Sequence, residues 1–273
     1  MTSAARLADY FKEMRYCISA TNDVRSCASL MWHTARFHAM NAYKPNLVDN
    51  APFSINLQLV NQSTRTVHLR PHGGDIFVLY EICMLQSYRI PETLLDPNKV
   101  EVIVDCGANI GITSLYFASR YPKAKIFSIE PHPDNFKILK ENTRSEERIV
   151  PINAAVVGAP RETIKLSTDA PAWGNKITDQ DNGISVPAIS LTQLREKYGV
   201  GRIDLLKVDI EGAEKEVFAN GEFLPDVNFG IIELHDGYSH SQFERDINRW
   251  SFAMRLPDPG GETQMITFSR KSS

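Results

Sequence analysis

The strongest chemical signal in this 273-residue chain is a loop of small residues, Asp105-Cys106-Gly107-Ala108-Asn109-Ile110-Gly111, that follows the apolar run 100–104. Gly107 permits a sharp turn without a Cβ clash, and Gly111 lets a following helix start close to the sheet. A helix N-terminus there offers free N–H groups and partial positive charge, which suit a carboxylate or a phosphate. A dinucleotide loop, G-x-G-x-x-G, needs its second glycine beneath the pyrophosphate. Asn109 stands at that position, and Asp105 would repel a pyrophosphate. The same acid can accept a hydrogen bond from an α-ammonium. S-adenosylmethionine has an ammonium, a carboxylate and no phosphate, so it fits this loop better than NAD does. Glu130 ends the next apolar run, 125–129, where an acid can accept from both ribose hydroxyls. His132 and Asn135 follow it and either reach the ribose or start a helix. Asn153-Ala154-Ala155, at the end of a third run, offers small side chains and backbone N–H groups to a flat base.

A second group of reactive residues lies downstream. Lys207, Asp209 and Glu211 alternate along the end of the run 203–208, and Glu233 and His235 share one face of the run 229–234 and its exit. If the two runs are neighbouring strands, Asp209, Glu233 and His235 converge. His235 is the candidate general base, since an imidazole titrates near neutrality. Asp209 would face the methionine end of the cofactor and position the acceptor, and Lys207 would pair with Asp209 or a nearby acid. Asp209, Glu233 and His235 also form an oxygen-rich set of the kind that takes Mg²⁺ or Mn²⁺. With no close-spaced metal motif, the metal-free reading is preferred. Glu214 and Glu216 are expected to be solvated helix residues. Trp173-Gly174-Asn175, in a polar stretch, would lid the site, stack on substrate or pack on the surface.

These residues need a scaffold that brings strand ends together. From Lys99 onward apolar runs alternate with helix-like segments: helices are expected at 113–121, 133–142, 211–220 and after the capping boxes at Ser190 and Ser241, with strands at 149–157 and 265–268 besides those above. Such alternation predicts an α/β fold, a mainly parallel sheet with helices on both faces and ligands at the C-terminal strand ends. Ahead of it, residues 5–14 and 26–40 are helix-compatible, 53–59 and 66–69 read as a hairpin, and 76–88 as a helix. The chain is therefore divided into an N-terminal extension, 1–96, and a ligand-binding domain, 97–273. The extension would act as a lid, a substrate selector or a homodimer contact.

Composition narrows the partners. Net charge is −3, which does not suit a general nucleic-acid binder. No apolar run reaches the roughly 18 residues of a membrane helix, and Arg6 and Asp9 interrupt any signal-peptide core, so a cytoplasmic location is expected. Cys17, Cys27, Cys83 and Cys106 form no C-x-x-C pair and read as free thiols.

The segment Val104 to Gly111 resembles motif I of class I S-adenosylmethionine-dependent methyltransferases, whose sheet is Rossmann-like. Leu206-Lys207-Val208-Asp209-Ile210-Glu211-Gly212-Ala213-Glu214 and Ile232-Glu233-Leu234-His235 are similar to the FkbM-type branch, as is Leu69-Arg70-Pro71 with Asp75. The likeness runs from about Arg65 to Leu234. It implies methyl transfer to a hydroxyl of a small metabolite, sugar or natural product. The readings it competes with are an NAD-dependent oxidoreductase and a non-catalytic S-adenosylmethionine-binding protein.

Overall fold

The computed structural model describes residues 3–43, 51–71, 74–167, 183–235, 237–257 and 265–271. The chain forms two compact units, Met1–Gln86 and Ser87–Ser273. The 86/87 boundary lies ten residues ahead of the expected 96/97 division, and Tyr88, whose ring meets Phe117, falls on the side of the second unit.

In the first unit, helices α1 (Ser3–Ser19) and α2 (Val24–Tyr43) precede the antiparallel hairpin β1 (Phe53–Gln58) and β2 (Thr64–Leu69). Ile55, Leu57, Val67 and Leu69 alternate into its interior, as the period-two pattern requires. The helix expected at 76–88 is shorter: α3 (Asp75–Leu79) gives way to a π-helical turn at Tyr80–Met84. Arg70 and Asp75 form a buried pair in which Nε and Nη2 donate to the carboxylate at 3.0 and 2.8 Å.

The second unit contains β3 (Val102–Cys106), α4 (Ile112–Arg120), β4 (Lys125–Ile129), α5 (Pro133–Thr143), β5 (Ile149–Ile152), β6 (Ala155–Val156), β7 (Thr163–Leu166), β8 (Ile184–Ile189), α6 (Leu191–Tyr198), β9 (Ile203–Val208), α7 (Glu214–Asn220), β10 (Val227–Ile232), α8 (His240–Asn248), β11 (Phe252–Arg255) and β12 (Ile266–Arg270). Seven strands form one sheet in the order β11-β12-β10-β9-β3-β4-β5. The strands β10, β9, β3, β4 and β5 pair in parallel, and β12 runs antiparallel to β10. From β3 the chain winds outward through β4 to β5; from β9 it winds the other way to β10. Right-handed crossovers in opposite directions place helices on opposite faces. This is the Rossmann-like class I methyltransferase sheet with its antiparallel strand near one edge. The order reverses between β3 and β9, so a crevice opens beyond their carboxyl ends.

Central strands are buried on both faces, which explains their continuous apolar runs. Val104, Cys106, Leu206 and Val208 are inaccessible, and Phe218, Phe243 and Phe268 meet edge to face beneath the β10–β12 end of the sheet. Two expectations are corrected here. The strand expected through Val157 breaks after Ile152, and β6 leaves to pair with β8, which pairs in turn with β7 in a small side sheet. The helix expected from Glu211 begins at Glu214, because Glu211 and Gly212 hold φ of 55° and 105° and form a turn. Among the described residues no helix is long and apolar enough to cross a membrane.

Candidate active site

The loop after β3 closes onto both neighbouring strands. Gly107 and Ala108 donate their N–H groups to the carbonyl of Ile129 at the end of β4. On the other side a Cβ on Gly107 would lie 1.7 Å from the carbonyl oxygen of Asp209, and its φ is 80°. Only glycine satisfies both the contact and the left-handed backbone. Gly111, at φ 88°, occupies the N-cap of α4 and packs against Thr143 and Leu139 of α5.

Lys207 fixes this arrangement from below. It is almost fully buried, and its Nζ donates to the carbonyls of Gly107 at 2.7 Å and Cys106 at 3.2 Å. The same ammonium lies 3.4 Å from Asp105 Oδ1 and 3.4 Å from Asp209 Oδ2. Burial pulls its pKa down, but Asp209 and Asp105 outweigh that and hold it above the ordinary lysine value. Lys207 therefore stays charged and pairs with both acids, as a lysine between two carboxylates should.

Asp105 differs from expectation. It is fully buried beneath the loop, where Oδ2 accepts from Ser114 Oγ at 2.7 Å and Oδ1 faces Lys207. With its charge matched from below, it is removed from the cleft in which it was to receive an α-ammonium. Ser114 also contacts Ser128, so three polar side chains form one buried chain.

Glu130 sits at the end of β4 as expected, but its carboxylate first organises protein. Oε2 accepts from the N–H of Asn109 at 2.9 Å; Oε1 accepts from the N–H of His132 at 2.9 Å and from Asn135 Nδ2 at 3.2 Å. Burial pushes its pKa up to about 7, against these bonds, which lower it. A carboxylate oxygen has two lone pairs, so Oε2 retains one acceptor site. Asn153 uses its amide on the carbonyls of Glu130 and Pro131, at 2.8 and 3.0 Å, and so serves the wall rather than a bound base. Ala154, with Ala155, Val156 and Leu166, remains on the cleft surface, together with Gly107, Asn109, Glu130, His132, Asn135, Asp209 and Glu211.

Beside the cleft residues Asp209 and Glu211 the β9 and β10 exits meet, since Ile232 is registered against Val208. His235 Nδ1 donates to Glu214 Oε1 at 2.8 Å, leaving Nε2 3.5 Å from Glu211 Oε2 and 3.8 Å from Asp209 Oδ1. The hydrogen bond to Glu214 raises the imidazole pKa to about 9, against burial, which lowers it. Burial pushes Glu211 and Glu233 up as well. Glu214 corrects the expectation of a solvated helix residue: it is inaccessible, and its Oε1 also accepts from the N–H of Ile210 at 3.1 Å. Glu216 does reach the surface, where it pairs with Arg161.

The sites differ from the proposed metal set by one residue. Ligand atoms of Asp209, Glu211 and His235 lie within 4.8 Å of one another, so Glu211 takes the place given to Glu233. These atoms could surround a divalent cation; they equally form a charged imidazole between two carboxylates. Trp173, Gly174 and Asn175 lie outside the described residues. One contributor escaped the sequence reading: Tyr88, whose hydroxyl donates to Asp209 Oδ2 at 3.0 Å, had no local signal at all.

Comparisons with known proteins cover the stretch of chain that carries this site. The family model described as the methyltransferase FkbM domain matches residues 105–256, more than half of the chain. Methyltransferase sdnD of Sordaria araneosa is 33% identical over 176 residues, covering 52% of this chain and 66% of that protein. The hexuronic acid methyltransferase AglP of Haloferax volcanii is 30% identical, covering 53% and 60%. The 2-O-methyltransferase NoeI of Sinorhizobium fredii is 29% identical, covering 50% and 63%. The aligned stretch thus spans less than two thirds of each of these relatives.

Proposed function

The chain belongs to the FkbM methyltransferase family, and from that premise we propose that it transfers the methyl group of S-adenosylmethionine to a hydroxyl oxygen of a small hydroxylated metabolite, sugar or natural product. The observation that carries this reading is the cleft at the switch point, lined by the glycine cradle and by Asp209, with the imidazole of the Glu214–His235 pair 3.8 Å from Asp209.

Cofactor fit can be judged on the cradle itself. The N–H of Asn109, which stands where a dinucleotide loop has its second glycine, is already bonded to Glu130 and is not open to a pyrophosphate, which disfavours NAD. The apolar surface of Ala154, Ala155, Val156 and Leu166 suits a flat base, the spare acceptor on Glu130 suits a ribose hydroxyl, and Asp209 suits the methionine end. When bound, S-adenosylmethionine supplies an electrophilic methyl on a sulfonium.

The chain's own residues supply the rest. A hydroxyl is a poor nucleophile until its proton leaves. His235 accepts that proton at Nε2, and Glu214 at Nδ1 stabilises the imidazolium so formed, the logic of an imidazole held by a buried carboxylate. Asp209 and Glu211, 3.8 and 3.5 Å from Nε2, orient the acceptor. No metal is required by this arrangement.

The test is methyl transfer from labelled S-adenosylmethionine to a panel of methyl glucoside, glucuronic acid and cyclohexane-1,2-diol, with EDTA present. Label in an ether product is the expected result. Transfer only after Mg²⁺ or Mn²⁺ is restored would assign Asp209, Glu211 and His235 to a metal instead. Label only in the methyl ester of glucuronic acid would overturn hydroxyl methylation.

A further inference from the structure

We propose that Tyr88, which precedes the matched family domain, is a positioning residue that sets which oxygen of Asp209 faces the reaction. The inference rests on the methyl-transfer reading above. Asp209 has two carboxylate oxygens with different partners. Oδ2 accepts from Tyr88 Oη at 3.0 Å and lies 3.4 Å from Lys207 Nζ. Oδ1 is the oxygen nearest His235, at 3.8 Å from Nε2. Asp209 lines the cleft, while Tyr88 is 3% exposed and has no access to a ligand.

Lys207 alone cannot fix the carboxylate. Its three donors already serve two loop carbonyls and two acids. At 3.4 Å it attracts the charge without a short directional bond, and either oxygen of Asp209 could answer it. Tyr88 adds the direction. A phenol O–H donates along one line, and the ring that carries it is held in place: Lys207 Nζ lies 5.3 Å from the ring centroid, and Phe117 meets the ring edge-on at 6.3 Å. A rigid aromatic with two packed neighbours therefore aims one hydroxyl at Oδ2. With Oδ2 engaged, Oδ1 is presented to the acceptor beside the base.

Tyr88→Phe removes only the hydroxyl and keeps the ring against Lys207 and Phe117. Turnover and melting temperature are measured for the wild type, Tyr88→Phe, Asp209→Ala and the double variant, with S-adenosylmethionine and the panel acceptor that the wild type methylates best. Tyr88→Phe is expected to lower kcat about tenfold, the loss of one hydrogen bond to a charged group, while KM for S-adenosylmethionine stays within about twofold. In the Asp209→Ala background, where His235 sustains residual turnover, the same change should have no further effect. Undiminished kcat in Tyr88→Phe overturns the proposal. So does an equal loss in both backgrounds, which is what a general weakening of the fold would give, and so does a melting temperature of Tyr88→Phe that falls in step with kcat. A wild type that methylates nothing overturns the methyl-transfer reading, and the proposal with it; a working wild type with a working Tyr88→Phe overturns the proposal alone.

Discussion

On the proposed mechanism, one contact of His235 governs both activity and stability. Its hydrogen bond to Glu214 holds the folded-state pKa at about 9, above the ordinary 6.5. Near pH 7 the ring is an imidazolium and must lose its proton before accepting another. The neutral fraction grows roughly tenfold per pH unit below about 9, so kcat should climb with that slope and level off near pH 9. Stability moves oppositely. A raised histidine pKa contributes stability that is complete below about 6.5 and lost as pH rises through about 9. Glu214→Gln should shift the activity plateau to lower pH and remove that alkaline loss, as read by pH–rate profiles and thermal melts. A flat profile from pH 7 to 10 would remove His235 from the role of base. At this scale the sequence was partly legible. The residue types at Asp209 and His235 declared their chemistry, and strand alternation placed them at adjacent exits. Solvent exposure was not legible: nothing in Glu214 or Asp105 distinguishes a buried, paired carboxylate from one facing the cleft.

Between residue and fold stand the loop after β3 and the exit of β9, which touch through backbone. Gly107→Ala would put a Cβ 1.7 Å from the Asp209 carbonyl oxygen at a φ of 80°. Neither atom is at the end of a flexible side chain, so the strand ends must separate. A loss of roughly 3 kcal/mol is expected from denaturant unfolding, with S-adenosylmethionine binding abolished. A variant that kept wild-type stability would show that the two strand ends yield easily. The turn chemistry of this loop was readable because glycine and asparagine mark left-handed backbone; Asn109 adopts φ 49°. The turn at Glu211 was misread as helix because glutamate gives no such mark, although its φ is 55°. The side sheet of β6, β7 and β8 escaped because its pairing joins segments far apart in sequence, which local periodicity does not record.

For the whole molecule, the sheet order follows from strand and helix alternation plus the handedness of crossovers, and that much was legible from the chain alone. The edge was less so: β11 is four residues long and was not anticipated. A ligand bound at the switch point should raise the stability of the native chain by mass action, about 2.7 kcal/mol at a concentration one hundred times its dissociation constant. S-adenosylmethionine is accordingly expected to raise the melting temperature, and NAD at the same concentration to leave it unchanged. The reverse result would return the oxidoreductase reading.

Lys207 ties the loop carbonyls at Cys106 and Gly107 to Asp105 and Asp209, so the glycine cradle and the carboxylate at the β9 exit form one mechanical block. Neither half can be reshaped without disturbing the other. Anyone wishing to redirect this chain toward a new acceptor should leave that block and the base-binding wall intact and diversify the cleft surface beyond them, at a position such as Ala213. Such a library would keep the transfer step constant while selectivity is explored.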